Sequence, residues 1–132
     1  MGAVGTTQYM ETNNGSIAIF NKATGALTSR ESKPSFWTRV GLACGASGDQ
    51  RVLFDHYSNR WIASGFGSTG NLINIAVSDT ADASGTWKST QIVGASLGVP
   101  GTLDSRPCRW TTRVCTSAPT TSIPASLAPA CS

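Results

Sequence analysis

Three neighbouring residues carry the side chains of a hydrolase triad: Asp55, His56 and Ser58. A working triad is assembled by the fold from distant positions, so adjacency in sequence does not indicate one. We expect His56, the single histidine, to lie on a surface turn. Cys44 has the chemistry of a nucleophile, but no feature of the sequence identifies a base for it. We therefore expect a core or loop cysteine and no catalytic residue.

A glycine-rich segment, residues 65–70, matches the G-x-G-x-x-G pattern of dinucleotide-binding loops. Such a loop binds pyrophosphate only when a helix begins directly after it, because the helix N-terminus supplies unpaired N–H groups. The next segment, residues 72–78, has the composition of a strand. We predict a hairpin loop here and no nucleotide cofactor.

Asp79 and Asp82 precede Ser-Gly-Thr-Trp at residues 84–87, which resembles the Asp-box turn of sialidase-like propellers with a spacing one residue longer. In such a turn the carboxylate accepts hydrogen bonds from nearby backbone N–H groups. Calcium requires six to eight oxygen ligands, and two carboxylates fall short of that number. We predict turn stabilisation by these residues and no metal site.

Trp61 and Trp87 lie early in strand-like segments, where aromatic residues usually belong to the core. A sugar-stacking platform is the functional alternative for a secreted protein. The segment 14–16 matches a glycosylation sequon by pattern only. A hairpin turn explains it better, because Asn14-Gly15 lies between two alternating segments and favours a type I′ turn with positive φ at both residues.

The remaining local pattern predicts strands and no helix. A second turn is expected at residues 23–25. Residues 30–50 have no regular pattern, and we expect an irregular segment whose Phe36 and Trp37 pack on a core. Four strand-like segments follow: residues 51–55, 60–66, 72–78 and 86–92.

The connections between these four segments are short and polar, which predicts an antiparallel meander, the unit of a propeller blade. Ile73, Ile75 and Val77 fall on one face of the third segment, and we predict that face to be the buried one. Residues 19–27 also align without gaps to residues 53–61. Both read as a strand, an Asx-containing turn and a returning strand, which indicates a repeat architecture.

Composition narrows the class of protein. Charged residues are 13% of the chain, about half the usual share of a soluble domain, as in turn-rich extracellular β proteins. Residues 1–104 hold seven basic and seven acidic residues, so the net charge of +3 comes from residues 105–132. We predict no nucleic-acid partner and no membrane span. The sequence has no CxxC zinc pattern, and its start lacks the features of a signal peptide.

Two signatures give the sequence a family resemblance. Residues 49–61 read D-Q-R-V-L-F-D-H-Y-S-N-R-W, and residues 77–87 read V-S-D-T-A-D-A-S-G-T-W. They resemble the D-x-x-V-L-[YF]-D-x4-R-W and V-S-x-[ST]-x-D-P-[ST]-G-x-W signatures of a family of secreted bacterial proteins of unknown function. Ala83 replaces the proline. The resemblance covers about residues 3–104 and implies a propeller-like domain, and the family supplies no catalytic residues.

Residues 105–132 differ in composition, with abundant Arg, Cys, Thr, Pro, Ser and Ala. One interpretation is a disordered tail. The other is translation out of frame, because one base added in the Ser105 codon permits a strand-like string that contains V-D-D-T-G-V-Y and restores the repeat pattern. We favour the frameshift, under which Cys108, Cys115 and Cys131 were never selected as protein.

These observations predict an all-β chain with one meander blade at about 51–92 and a hairpin of a neighbouring blade at about 6–29. Residues 1–104 would form a partial propeller-like domain and 105–132 the tail. We expect a fragment of a secreted scaffold or ligand-binding domain, with an extracellular glycan or protein as partner and no enzyme activity, cofactor or metal. The alternatives are a fragment of a sialidase-like carbohydrate-active enzyme and a small carbohydrate-binding module. Because open sheets leave strand edges unpaired, we also expect poor solubility.

Overall fold

The computed structural model describes residues 1–42, 49–67 and 71–98. Cys44, residues 68–70 of the glycine-rich loop and the whole segment 105–132, with Cys108, Cys115 and Cys131, lie outside these ranges. The elements in chain order are β1 (Gly2–Val4), β2 (Gln8–Thr12), β3 (Ser16–Asn21), β4 (Leu27–Ser32), α1 (Lys33–Arg39), β5 (Arg51–Asp55), β6 (Arg60–Phe66), β7 (Leu72–Ser78), β8 (Trp87–Val93) and the 3-10 helix Gly94–Leu97.

The strands form two four-stranded antiparallel sheets, β1-β2-β3-β4 and β5-β6-β7-β8, each of them a meander in chain order. The all-β prediction is confirmed, and the second sheet occupies the segment that the sequence assigns to a meander. The first unit is larger than the expected hairpin at 6–29, because β1 and β4 extend it to four strands. The strand β5 lies beside β1 and β2. The described residues include no helix that is long and apolar enough to cross a membrane.

The β2–β3 hairpin is where the sequence places it, but its turn is not type I′. Neither Asn14 nor Gly15 has a positive φ angle. Instead the Oδ1 atom of Asn13 accepts hydrogen bonds from the backbone N–H groups of Gly15 and Ser16, each at 2.9 Å. The side chain of Asn13 therefore supplies the acceptor that closes the turn, and the backbone does not need the left-handed conformation.

The two hairpins that align in sequence have similar turns. The Oδ1 atom of Asn21 accepts from the Ala23 N–H at 2.9 Å, and that of Asp55 accepts from the Tyr57 N–H at 3.0 Å. Four residues after each acceptor the chain is left-handed, with φ of 71° at Gly25 and 53° at Asn59. The short side chain of Asn tolerates this conformation, and Gly adopts it freely.

The helix α1 corrects the expectation of an irregular segment at residues 30–50. Ser32 caps it, since its Oγ accepts from the Ser35 N–H at 3.2 Å, and Pro34 fits the first turn. Seven residues make fewer than two turns, which is too short for a helical period to be visible in the sequence. Phe36 and Trp37 are fully buried, as predicted.

One hydrophobic core lies between the sheets. Its buried members are Met10, Ile17, Ile19, Phe36, Trp37, Val40, Val52, Phe54, Trp61, Ala63, Ala76 and Ala83. Both sheets and α1 contribute to it, so the two meanders stabilise each other rather than forming separate cores.

The buried face of β7 is the opposite of the predicted one. Ala76 and its neighbours Asn74 and Ser78 are fully buried, whereas Ile73, Ile75 and Val77 lie on the other face and are half-buried. The indole of Trp61 occupies the core beside β7, and large side chains on both would not fit. Alternation gives the period of a strand but does not say which face turns inward.

Candidate functional site

A polar cleft of about 430 Å³ lies at the end of the sheets where β1 and β5 begin. Four separate segments border it: the residue before β1, the β2–β3 turn, the first residue of α1 and the approach to β5. The described lining residues are Met1, Thr12, Asn13, Asn14, Lys33, Asp49, Gln50 and Arg51. Amide, hydroxyl, carboxylate and cationic groups therefore converge on one surface, with donors and acceptors for a polar ligand.

Gln50 lies under this cleft and is 6% exposed. Its Oε1 accepts from the Thr12 Oγ1 at 3.4 Å, while its buried Nε2 has no hydrogen-bond partner among the described residues. Turning the amide over would only exchange the two atoms and leave one of them unpaired. A buried polar group without a partner costs about 1–3 kcal/mol. Within the part of the chain that the structure describes, the Gln50 amide is thus only partly paired.

The rim of the cleft is held by backbone hydrogen bonds. The N–H of Thr12 donates to the Met1 carbonyl at 2.7 Å, which extends the β1–β2 pairing to the cleft. The N–H of Lys33 donates to the Gly15 carbonyl at 3.2 Å and joins α1 to the β2–β3 turn. Lys33 is 6% exposed although it carries an ammonium group. These two bonds connect β1, β2 and α1 around the cleft.

The turn between β7 and β8 contains Asp82 and connects the two sheets. The Asp82 Oδ1 accepts from the Ser84 N–H at 2.8 Å, as expected for an Asp-box-like turn. It also accepts from the Gln8 Nε2 at 2.9 Å, and the Gln8 Oε1 accepts from the Ala83 N–H at 2.8 Å. The side-chain amide of Gln8, on β2, thus bridges the first sheet to this turn.

Asp79, the other acidic residue of this segment, lies 3.6 Å from the Lys88 ammonium. Within the ranges that the structure describes, no group of three or more His, Cys, Asp or Glu side chains could hold a metal ion. What the structure shows at this segment is hydrogen bonding within a turn.

The hydrogen bonds of Asp82 make stability depend on pH. The bond from Gln8, followed by that from the Ser84 N–H, holds the pKa of Asp82 below its usual value of 3.8. A carboxyl group with a lowered pKa stabilises the folded state above its unfolded pKa, and the contribution is lost as the pH falls through the folded value. We expect the free energy of unfolding to fall as the pH drops from 5 to 3, and to fall less steeply in Gln8→Ala and Asp82→Asn.

Urea unfolding at pH 5, 4 and 3 measures this slope. Asp55 also contributes to it in all three proteins, because hydrogen bonds from the Ser58 hydroxyl and the Tyr57 N–H lower the pKa of Asp55. Ser58→Ala removes the larger of these bonds and should also flatten the slope, which measures the same effect at a turn where neighbouring residues bind Asp55. Equal slopes for the wild type, Gln8→Ala and Asp82→Asn would contradict the assignment.

The triad-like residues are not arranged as a triad. The Ser58 hydroxyl donates directly to the Asp55 Oδ2 at 2.6 Å, and His56 is exposed with its ring 5.0 Å from the Phe54 ring. The serine and the aspartate therefore stabilise a turn. Gly65 and Gly67 lie at the end of β6, and the next described element is the strand β7, as predicted for a hairpin loop.

Trp61 and Trp87 do not form a sugar-stacking surface. Trp61 is fully buried, and its indole N–H donates to the Ala81 carbonyl at 2.8 Å. Trp87 is half-buried, with its ring 5.3 Å from that of Phe36 in an edge contact. Both side chains pack in or against the core, as the interpretation favoured from sequence has it. They are therefore not arranged as a surface for stacking sugars.

Comparison with known proteins gives no relative: no protein-family model, no curated protein and no solved structure matches the chain. Function therefore has to be argued from the cleft and the two sheets. Sequence reasoning missed the cleft. Its members Thr12, Lys33 and Gln50 come from three distant segments, and only the fold brings them together.

Proposed function

We propose that the chain is a non-catalytic, propeller-type binding module that uses the polar cleft above Gln50 as its ligand site. Two consecutive four-stranded meanders, with β5 beside β1, support the propeller assignment. The similar Asx turns at Asn21 and Asp55 support a repeated unit. The low content of charged residues and the resemblance noted above fit a secreted bacterial protein.

The observation that carries the ligand site is the Gln50 Nε2, which is buried and has no partner among the described residues. Natural proteins depart from good polar pairing mainly where function requires it. Among the described residues three buried side-chain atoms have no partner, on Trp37, Gln50 and Asn71, and of these only Gln50 borders the cleft. The lining offers carboxylate and amide acceptors together with Arg and amide donors. Hydroxyl groups satisfy both kinds of partner at once, so the ligand class that fits best is a polyhydroxylated molecule such as an extracellular glycan.

A glycan array with labelled chain 1–132 tests this proposal. We expect binding that falls at least tenfold in Gln50→Met and in Arg51→Met, while Lys88→Met, which is not part of the cleft, binds as the wild type does. Gln50→Met should also unfold at the same or a higher urea concentration, because methionine fills the space without an unpaired amide. Binding that survives both cleft substitutions, or no binding to any glycan, would refute the site.

A further inference from the structure

The β2–β3 turn contains two neighbouring residues that can react with each other. Asn14 is followed by Gly15, and none of the other five asparagines of the chain precedes a glycine. The backbone nitrogen after an asparagine can attack its side chain and close an imide ring, because the two groups are held together by the chain. Glycine permits this attack best, since it has no Cβ atom to hinder the approach. The sequence therefore gives Asn14 the chemistry of a self-modifying residue.

The reaction needs no reagent other than water. The Gly15 nitrogen forms a bond to the Asn14 Cγ and gives up its proton, while the bond from Cγ to Nδ2 breaks and Nδ2 leaves as ammonia. Water then opens the imide at one of its two carbonyl carbons. Opening at Cγ leaves an aspartate, and opening at the backbone carbon leaves an isoaspartate, in which the main chain runs through Cγ. In sum, one amide and one water become one carboxyl group and one ammonia.

The structure leaves both residues open to this reaction. Asn14 and Gly15 are exposed, so water reaches them. Gly15 does not have a positive φ angle, and a Cβ atom placed on it would lie 4.0 Å from its nearest neighbour, the Asn13 Oδ1. The fold therefore does not require glycine at this position. Replacing Gly15 with alanine should change the reaction and leave the turn as it is.

Asn13 restrains the nitrogen that would attack. The Asn13 Oδ1 accepts from the Gly15 N–H and from the Ser16 N–H, each at 2.9 Å, and the Asn13 N–H donates to the Ser16 carbonyl at 3.1 Å. The Gly15 nitrogen must lose its proton and turn toward the Asn14 side chain before it can attack, and both changes break its bond to Asn13. A hydrogen bond that has to break first slows a reaction about fivefold.

Conversion of Asn14 would change the charge of the polar cleft. Asn14 lines this cleft together with Lys33, Asp49 and Arg51. The product has a carboxylate in place of the neutral amide, so the lining gains one negative charge. Isoaspartate also lengthens the main chain of the β2–β3 turn, at the border of the same cleft.

We propose that Asn14 is a self-modification site, and that the Asn13 side chain slows its reaction with Gly15 in the folded chain. Loss of this restraint converts Asn14 to aspartate or isoaspartate, with water as the only co-reactant. This inference goes beyond the ligand site and does not depend on it. The reaction is measured from the mass of the chain, whether or not the cleft binds a glycan.

Peptide mass spectrometry of the full chain, incubated at mildly alkaline pH, tests the proposal. Trypsin releases residues 1–22 as one peptide, because Lys22 is the first lysine or arginine, and fragment masses locate the change. We expect folded Asn13→Ala to convert Asn14 about fivefold faster than the folded wild type does. Asn13→Asp keeps an acceptor oxygen and should react at the wild-type rate. Gly15→Ala, whose methyl group hinders the attack, should be the slowest of the four proteins.

Circular dichroism checks that the variants fold. The wild-type chain unfolded in guanidinium chloride has lost the bond to Asn13 and should convert at least about fivefold faster than the folded one. This comparison decides the question if Asn13→Ala does not fold, because equal rates for the folded and the unfolded wild type overturn the proposal. So do equal rates for folded Asn13→Ala and wild type, conversion of Gly15→Ala at the wild-type rate, or a change that is located only at other asparagines.

Discussion

Replacing Trp61 with alanine is expected to lower the free energy of unfolding by about 3–5 kcal/mol. The indole is fully buried and lies 4.8 Å from the Phe54 ring in an edge contact. It also reaches the first sheet, because a Cβ atom placed on Gly5 would come within 2.5 Å of the Trp61 ring. Its loss opens a cavity at the contact between the sheets. A loss of this size is a large share of the stability of a small domain.

Urea unfolding followed by far-UV circular dichroism measures the effect. Trp61→Phe keeps an aromatic ring but loses the bond to the Ala81 carbonyl. Its free energy of unfolding should therefore lie between those of Trp61→Ala and the wild type. Leu97→Ala is the control for a large-to-small change on the surface, since Leu97 is 60% exposed, and it should cost less than about 0.5 kcal/mol. A Trp61→Ala protein within 1 kcal/mol of the wild type, below the range of buried aromatic truncations, would show that the sheets do not depend on this contact.

The strands were predictable because their signals are local. Asn and Asp side chains that close turns, such as Asn21 and Asp55, act within four residues and are visible in the sequence. The same locality explains why the type I′ assignment at Asn14-Gly15 is wrong. The preceding Asn13 supplies a competing acceptor, and nothing in the hairpin pattern distinguishes these two ways to close the turn.

Alternation could not predict which face of β7 is buried, because that choice depends on the side chains against which each face packs. Trp61 fills the core side, and Ser78 with Ala76 leaves room for it. The isoleucines then face outward, where apolar surface is favourable only if another layer covers it.

The cleft was beyond sequence reasoning for a different reason. Gln50 falls in a segment that has no periodicity, and its significance depends on Thr12, which is 38 positions away. An unpaired amide is a property of the assembled structure and has no sequence pattern of its own. Poor solubility, which the sequence predicts from unpaired strand edges, is also expected from exposed apolar side chains such as Val4, Leu27 and Leu53.

Ser78→Ala is expected to lower the free energy of unfolding by about 1–3 kcal/mol. The loss is expected even though the substitution makes a buried side chain apolar. The Ser78 Oγ accepts from the backbone N–H of Trp61 at 2.8 Å and donates to the Thr80 carbonyl at 2.6 Å. Alanine leaves the buried N–H of Trp61 without this bond, while the carbonyl of the exposed Thr80 can turn to water. Removing one member of a buried pair costs the desolvation of the other.

Ser96→Ala is the matched control for this substitution. The Ser96 hydroxyl donates to the Val93 carbonyl at 2.6 Å in an exposed position, where water can replace it. We expect the control to change the free energy of unfolding by less than about 0.5 kcal/mol. Equal decreases in the free energy of unfolding for the two alanine variants, measured with urea, would mean that the hydrogen bonds of Ser78 do not stabilise the buried face of β7. A larger decrease for Ser78→Ala would show that the bond from the Trp61 N–H to Ser78 stabilises the side of β7 that packs in the core.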